Sequence, residues 1–341
     1  MGNFVRSAMI EPKYIGIFSA LLITSLIYWK FVKKKYARVG KVDRLYIYPI
    51  KGCQGIEIDE IEVTKFGLKY RNIKDRMFSF VDAKGQLVNM QTCAKVATIF
   101  LEMKSDYQLL ARCVDQTKDD LPKSIYIEIP IKERLSKCDE VFEAEFKNRK
   151  IKGVVCDKKI NTFFSQYLAM SVKLIQHLPE LKYRPANTQK KEDPSFERRF
   201  NITFQNYVDF HLISLESLDL LNEKIAENSG KQFQVSGLNF RPNMTVTDTN
   251  GPFDEDKWRF IKINDVKFIQ IENCFRCSNT TIEDASRKEP IHTLRKFRRS
   301  KVKEEDRRVG GSPFFGCLLG TLREGTIRVG DKIEATLVEV I

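Results

Sequence analysis

Histidine is scarce in this sequence. There are three in 341 residues, His177, His211 and His292, scattered and never in an HxxxH spacing. One close cysteine pair exists, Cys274 and Cys277, with no second CxxC. A structural zinc site draws four ligands, usually from two such pairs, so the pattern argues against one. The eight cysteines have no regular spacing. That argues against a disulfide framework and for a reducing compartment. No internal repeat of the solenoid kind is present. Acidic residues are in deficit: 45 Asp and Glu stand against 58 Lys and Arg, a net charge of +13. The excess favours acidic partners, whether nucleic acid, anionic membrane or a phosphate-bearing ligand. No aromatic-interleaved basic run or known reader motif occurs, which argues against nucleic acid.

Charge itself is missing from Tyr14 to Trp29, YIGIFSALLITSLIYW, and Phe31 and Val32 extend the apolar run. Tyr14, Tyr28 and Trp29 sit where interfacial aromatics belong. No small-x-small cleavage site follows; instead come Lys30, Lys33, Lys34, Lys35, Arg38 and Lys41. We read residues 1–13 as a tail and 14–32 as a single membrane anchor. The positive flank places the remainder in the cytosol. A mitochondrial outer membrane would suit this arrangement, although composition does not specify the organelle.

The body reads as α+β and predominantly β. Short runs rich in β-branched and aromatic residues, such as VDRLYIYPI (42–50), YQLLARCV (107–114) and SIYIEIPI (124–131), are separated by Asp, Gly, Lys or Asn. Their spacing predicts antiparallel barrel or sandwich architecture rather than alternating βαβ units. DAKG (82–85) predicts a hairpin turn. NTFFSQYLAMSVKLIQHL (161–178) and LISLESLDLLNEKIAENSG (212–230) predict amphipathic helices, with Ser214 a plausible N-cap for the second. The polar stretch 184–199, with two prolines, predicts a long exposed loop or domain boundary. GTIRVGDKIEATLVEV (325–340) predicts a strand–turn–strand that closes a barrel. Residues 287–308 hold ten Lys and Arg against four Asp and Glu. They are either a solvated face or an electrostatic dock for an acidic protein or anionic membrane.

The CxxC leaves several readings open on residues alone. Cys274 reads best as a small buried residue at a strand end; a redox dithiol needs a following helix that SNTTIEDAS does not offer. Cys277 has Arg276 beside it, and a neighbouring cation favours thiolate, a soft ligand for a single metal held mostly by a non-protein group. Asn279, Thr280 and Thr281 could support such a ligand by hydrogen bonds.

Seven segments occur in a telling order: LYIYPIKGCQG (45–55), NIKDRMF (72–78), GLNFRPN (237–243), CFRCSNTT (274–281), RKEP (287–290), SPFFG (312–316) and GTIRVGD (325–331). Together they resemble the MOSC-domain proteins, specifically the mitochondrial amidoxime-reducing component family. The resemblance implies a β-rich MOSC N-terminal domain, here 39–178, and a MOSC β-barrel domain, 179–341. It implies a molybdenum cofactor, a pterin with phosphate and dithiolene, to which Cys277 adds a protein ligand and on which Cys277 is the catalytic residue. By position in the motifs, Lys51, Gly52, Arg76, Arg241, Asn243 and Arg276 would bind the cofactor, the cations serving its phosphate. Asp75 reads as the ion-pair partner of Arg76. The implied reaction is reduction of small N-hydroxylated substrates, amidoximes and hydroxylamines. Electrons would come from NADH through a flavin reductase and a b5-type cytochrome.

Departures from the family pattern accompany this. Gly52 stands where a hydroxyl residue is usual, Asp209 lies near the expected phosphate site, Phe275 replaces a small polar residue, and Leu318 falls where a tyrosine is common. They keep two other readings in play: a non-catalytic carrier of the cofactor, and a cysteine-based sulfur carrier.

Overall fold

The computed structural model describes residues 36–115, 123–146, 149–186, 200–208, 210–229, 234–278, 280 and 289–337. The expected anchor, 14–32, and most of the polar stretch at 184–199 lie outside them. Among the described residues, no helix is long and apolar enough to cross a membrane.

Strands dominate, as the alternating sequence dictates. Glu60–Thr64 buries Ile61 and Val63 and turns Glu62 to solvent. Seven strands close a barrel in the order Met244–Thr247, Phe210–Ser214, Phe314–Arg323, Val266–Phe275, Trp258–Ile263, Lys332–Leu337 and Ala37–Ile47. The last of these pairs back onto Met244–Thr247, with Leu45 opposite Met244. One pair in the ring is parallel, Phe210–Ser214 beside Met244–Thr247. All five residues of Phe210–Ser214 are buried, as a strand covered on both faces requires.

The remaining strands form smaller sheets. Val141–Phe146, Arg149–Val155, Val172–Gln176 and Phe78–Asp82 make one, and Ile99–Ser105, Gln108–Asp115 and Lys123–Pro130 another. The turn expected at 82–85 is present: Gly85 N donates to Asp82 O at 3.0 Å, and Val81 bridges Leu87.

The expected division at 178/179 is crossed by the sheets. Ala37–Ile47, from the first half, is a barrel strand of the second, and Gly325–Arg328, from the second, pairs with Glu60–Thr64. One apolar cluster spans both halves and includes Val39, Ile99, Phe164, Trp258 and Ile333.

One helix expectation is corrected. The segment 161–178 is not one helix: the helix is Lys158–Leu168, and Val172–Gln176 is a strand. The cap is Asp157, whose side chain accepts from Lys159 N. Ala169 turns left-handed and ends the helix. The second helix is Leu215–Ser229, and Ser214 Oγ accepts from Ser217 N at 3.2 Å as an N-cap does.

Candidate cofactor-binding cleft

At one end of the barrel, Ala37–Ile47 leaves, Met244–Thr247 begins and Val266–Phe275 finishes. A cleft opens there, lined by Lys51, Gly52, Arg76, Arg241, Asn243, Arg276 and Cys277 together. The seven residues come from four separated segments of sequence. Tyr207, Phe275, Cys274, His211 and Leu318 complete much of the wall. Among the described residues four cations and no carboxylate line the cleft.

Arg76 and Arg241 both hold left-handed backbone, with φ of 49° and 53°. Arg76 pairs with Asp75, as expected of these neighbours. Asp75 is 2% exposed; its Oδ1 accepts from Tyr48 N at 2.9 Å and Asn243 Nδ2 at 3.2 Å. Burial raises its pKa, and Arg76 opposes the rise. Arg241 donates from Nη1 to Gly52 O at 3.3 Å, while its Nη2 is sealed from solvent without a partner. Burial lowers the Arg241 pKa to about 10, and repulsion from Arg76 adds to this. Arg276 Nε is likewise sealed and unpartnered.

Gly52 has φ of +90°, and a Cβ there would stand 2.9 Å from Val96 Cγ2. The backbone accounts for glycine at this position.

Two of the lining residues also make buried hydrogen bonds. Lys51 is 5% exposed; its Nζ donates to Phe204 O at 2.7 Å and Asn206 Oδ1 at 2.5 Å. Asn243 is 1% exposed and uses its whole side-chain amide. Its Oδ1 accepts from His211 N at 3.3 Å and Arg76 Nη1 at 3.4 Å, and its Nδ2 donates to Tyr46 O and Asp75 Oδ1. Asn243 therefore orients Arg76 and Asp75.

Arg276 does not turn to Cys277. Its Nη1 donates to Cys274 Sγ at 2.9 Å and its Nη2 to Phe240 O at 2.8 Å. Cys274 is 5% exposed and packs with Ile271 and Leu318. Burial raises its thiol pKa, against the pull of Arg276. Cys277 is exposed, and Thr280 Oγ1 donates to its carbonyl at 3.0 Å. Asn279, Thr281 and Asp209 lie outside the described residues.

The sequence reading missed Tyr48, His211, Gln205 and Arg184. Arg184 is 4% exposed and donates to Thr203 O and Gln205 O, which fixes the segment that receives Lys51. Nothing in its Arg-Pro context signals that role.

The donor set fits an anionic ligand with a soft metal: two buried guanidinium nitrogens want acceptors, no carboxylate among the described residues lines the cleft, and an exposed thiol stands at the same cleft. No group of three or more His, Cys, Asp or Glu able to hold a metal exists among the described residues. The enclosed volume is about 180 Å³. Pockets for drug-sized ligands usually enclose about 300–1,000 Å³, so such a ligand would also occupy the open side.

Comparison with known proteins agrees with the barrel architecture. The model of the MOSC N-terminal beta barrel domain matches residues 39–171, and that of the MOSC domain matches residues 200–334. The chain belongs to the MOSC-domain proteins. Within that class it is similar to mitochondrial amidoxime-reducing component 1 of Mus musculus, 29% identical over 88% of this chain and 84% of the relative. It is also similar to component 2 of Rattus norvegicus, 27% identical over 96% and 93%, and to component 1 of Homo sapiens, 27% over 98% and 96%.

Proposed function

We propose that this chain is a molybdenum-cofactor oxidoreductase that reduces small N-hydroxylated compounds, amidoximes and hydroxylamines. The observation that carries the reading is the convergence of Arg76, Arg241, Arg276 and Cys277 on one cleft that no carboxylate of the described residues lines, with unpartnered guanidinium nitrogens. The names of the relatives, amidoxime-reducing components, supply the substrate class.

When bound, the cofactor supplies two-electron transfer. Arg241 and Arg76 would hold its phosphate, Arg241 with the stronger demand because it lacks a carboxylate partner. Arg276, anchored by Cys274 and Phe240, would offer Nε to a further acceptor. Cys277 would give the metal its protein thiolate, and its exposure leaves the metal open to substrate. Gly52 shapes the turn that accepts Arg241, and Lys51 braces the opposite wall. Tyr207 and Phe275, ring centroids 5.0 Å apart, would line the approach.

The exposed bases Arg295, Lys296, Lys301, Lys303 and Arg307 would attract an acidic electron carrier, a b5-type cytochrome fed by its NADH-dependent flavin reductase. The anchor at 14–32 would hold the body on the cytosolic face of the mitochondrial outer membrane.

The test is elemental analysis of the full chain, purified in detergent from a host that makes the pterin, beside Cys277→Ala. The expected result is about one molybdenum per parent chain, with altered metal spectra and lost benzamidoxime reduction in the variant. Metal-free but folded parent protein refutes the reading. Full molybdenum without reduction under a competent electron supply selects the carrier instead.

A further inference from the structure

Two of the four cations of the cleft, Arg76 and Arg241, are held by an aromatic residue that does not line it. Tyr48 follows the barrel strand Ala37–Ile47 and is 1% exposed. The guanidinium carbons of Arg76 and Arg241 each lie 4.4 Å from its ring centroid. The two cations thus stand no further apart than twice that distance, near enough to repel each other and to share one phosphate-sized anion. Their left-handed backbones show that neighbours, not local preference, fix them in place.

The ring has been given room. A Cβ at position 55 would sit 2.6 Å from Tyr48 Cε1, so Gly55 lets the ring enter. The hydroxyl plays no visible part: it is sealed and unpartnered. The face of the ring is what the site uses, and cation–π attraction is strongest where both groups are shielded from water. Asp75 already serves Arg76, Tyr48 N and Asn243, yet it lies close enough to act on the Arg241 charge.

Resting on the reading of the cleft as a cofactor-phosphate site, we infer that Tyr48 is a positioning residue. Its ring holds Arg76 and Arg241 as a preorganised anion clamp.

The experiment uses the full chain from a host that cannot make the pterin, with inorganic phosphate as probe and thermal unfolding as readout. In the parent, phosphate raises the melting temperature in a saturable way. Tyr48→Phe keeps that response and melts no lower than the parent, because an unpartnered buried hydroxyl is gone. Tyr48→Leu weakens the apparent phosphate affinity tenfold or more. Pentafluorophenylalanine at position 48 keeps the shape, reverses the charge pattern of the ring face, and weakens affinity as leucine does; it serves if the leucine variant does not fold. An unchanged phosphate response in either ring-altered variant overturns the inference while leaving the cleft reading intact. A parent that ignores phosphate overturns both. A Tyr48→Phe loss as large as that of leucine shows that the hydroxyl acts and overturns the role of the ring face.

Discussion

His177 should make the wall of the cleft acid-labile. It is 3% exposed, with its ring centroid 4.5 Å from that of Tyr183 and 6.3 Å from that of Phe204. Burial pushes its pKa down from 6.5 to about 4, and the nearby charges of Lys74 and Arg184 push the same way. Below pH 6.5 the unfolded chain takes up a proton that the folded chain refuses. Stability is therefore full above pH 6.5 and declines as the pH falls toward 4. At 1.36 kcal/mol per tenfold change in proton affinity, the loss at pH 4.5 is about 2.5 kcal/mol. The consequence reaches the cleft, because Phe204 supplies the carbonyl that accepts from Lys51. The assay is urea unfolding of the full chain at pH 7.5 and pH 4.5, beside His177→Phe, which keeps an aromatic ring against Tyr183 and cannot titrate. Carboxylates contribute alike to both proteins, so the difference between the two pH values should shrink by about 2.5 kcal/mol in the variant. An equal pH dependence in the two proteins would refute this account of His177.

Three further outcomes are expected. Gly52→Ser, which restores a hydroxyl where the family pattern has one, should cost about 2 kcal/mol, since a side chain at φ +90° is strained and meets Val96; chemical denaturation measures it, and a stabilised variant would contradict the backbone account. Reversing Arg295, Lys296, Lys301 and Lys303 to Glu should slow turnover with an acidic donor and flatten its salt dependence, while turnover with a small dithionite-type reductant stays unchanged. Arg298 and Arg299 do not belong in that set. Arg298 donates to Asp256 at 2.6 Å and to Phe314 O and lies 3.8 Å from the Phe253 ring centroid, and Arg299 pairs with Asp306. Arg298→Glu should instead lower stability by about 3 kcal/mol by leaving Asp256 facing a like charge, and a melting temperature equal to that of the parent would rule this out.

The strands were legible because half-buried sheets impose a period of two, as in Glu60–Thr64. The helix at 161–178 was overread because its apolar spacing continues past the true end. Ser165 Oγ bonds both N and O of Val172, and the chain then enters the sheet opposite Phe78–Asp82. That pairing joins residues about ninety positions apart, and no local pattern encodes it. The crossing of the 178/179 division has the same origin, since barrel closure depends on Ala37–Ile47 meeting strands some two hundred and three hundred residues later. In the cleft, residue types could be read but side-chain directions could not. Lys51 and Asn243 both line the cleft, and no local pattern foretells that each also makes buried hydrogen bonds.

The cysteine pair shows how direction, rather than composition, decides the chemistry. Cys274 and Cys277 are three residues apart, which suits a zinc half-site or a dithiol equally well. The strand Val266–Phe275 ends between them. Cys274, still on the strand, faces the core and accepts from Arg276. Cys277, past the strand, is exposed at the cleft, with Thr280 closing a turn on its carbonyl. The arginine between them is therefore held by the buried sulfur, and it holds its own backbone through Arg276 N donating to Pro313 O at 2.7 Å. Such an arrangement fixes Arg276 as a cation of the cleft without neutralising it. It also keeps the one exposed sulfur of the pair free of any claim by that guanidinium. A buried, high-pKa thiol that serves as a hydrogen-bond acceptor and an exposed thiol suited to a metal are two different uses of one residue type, separated by a single strand end.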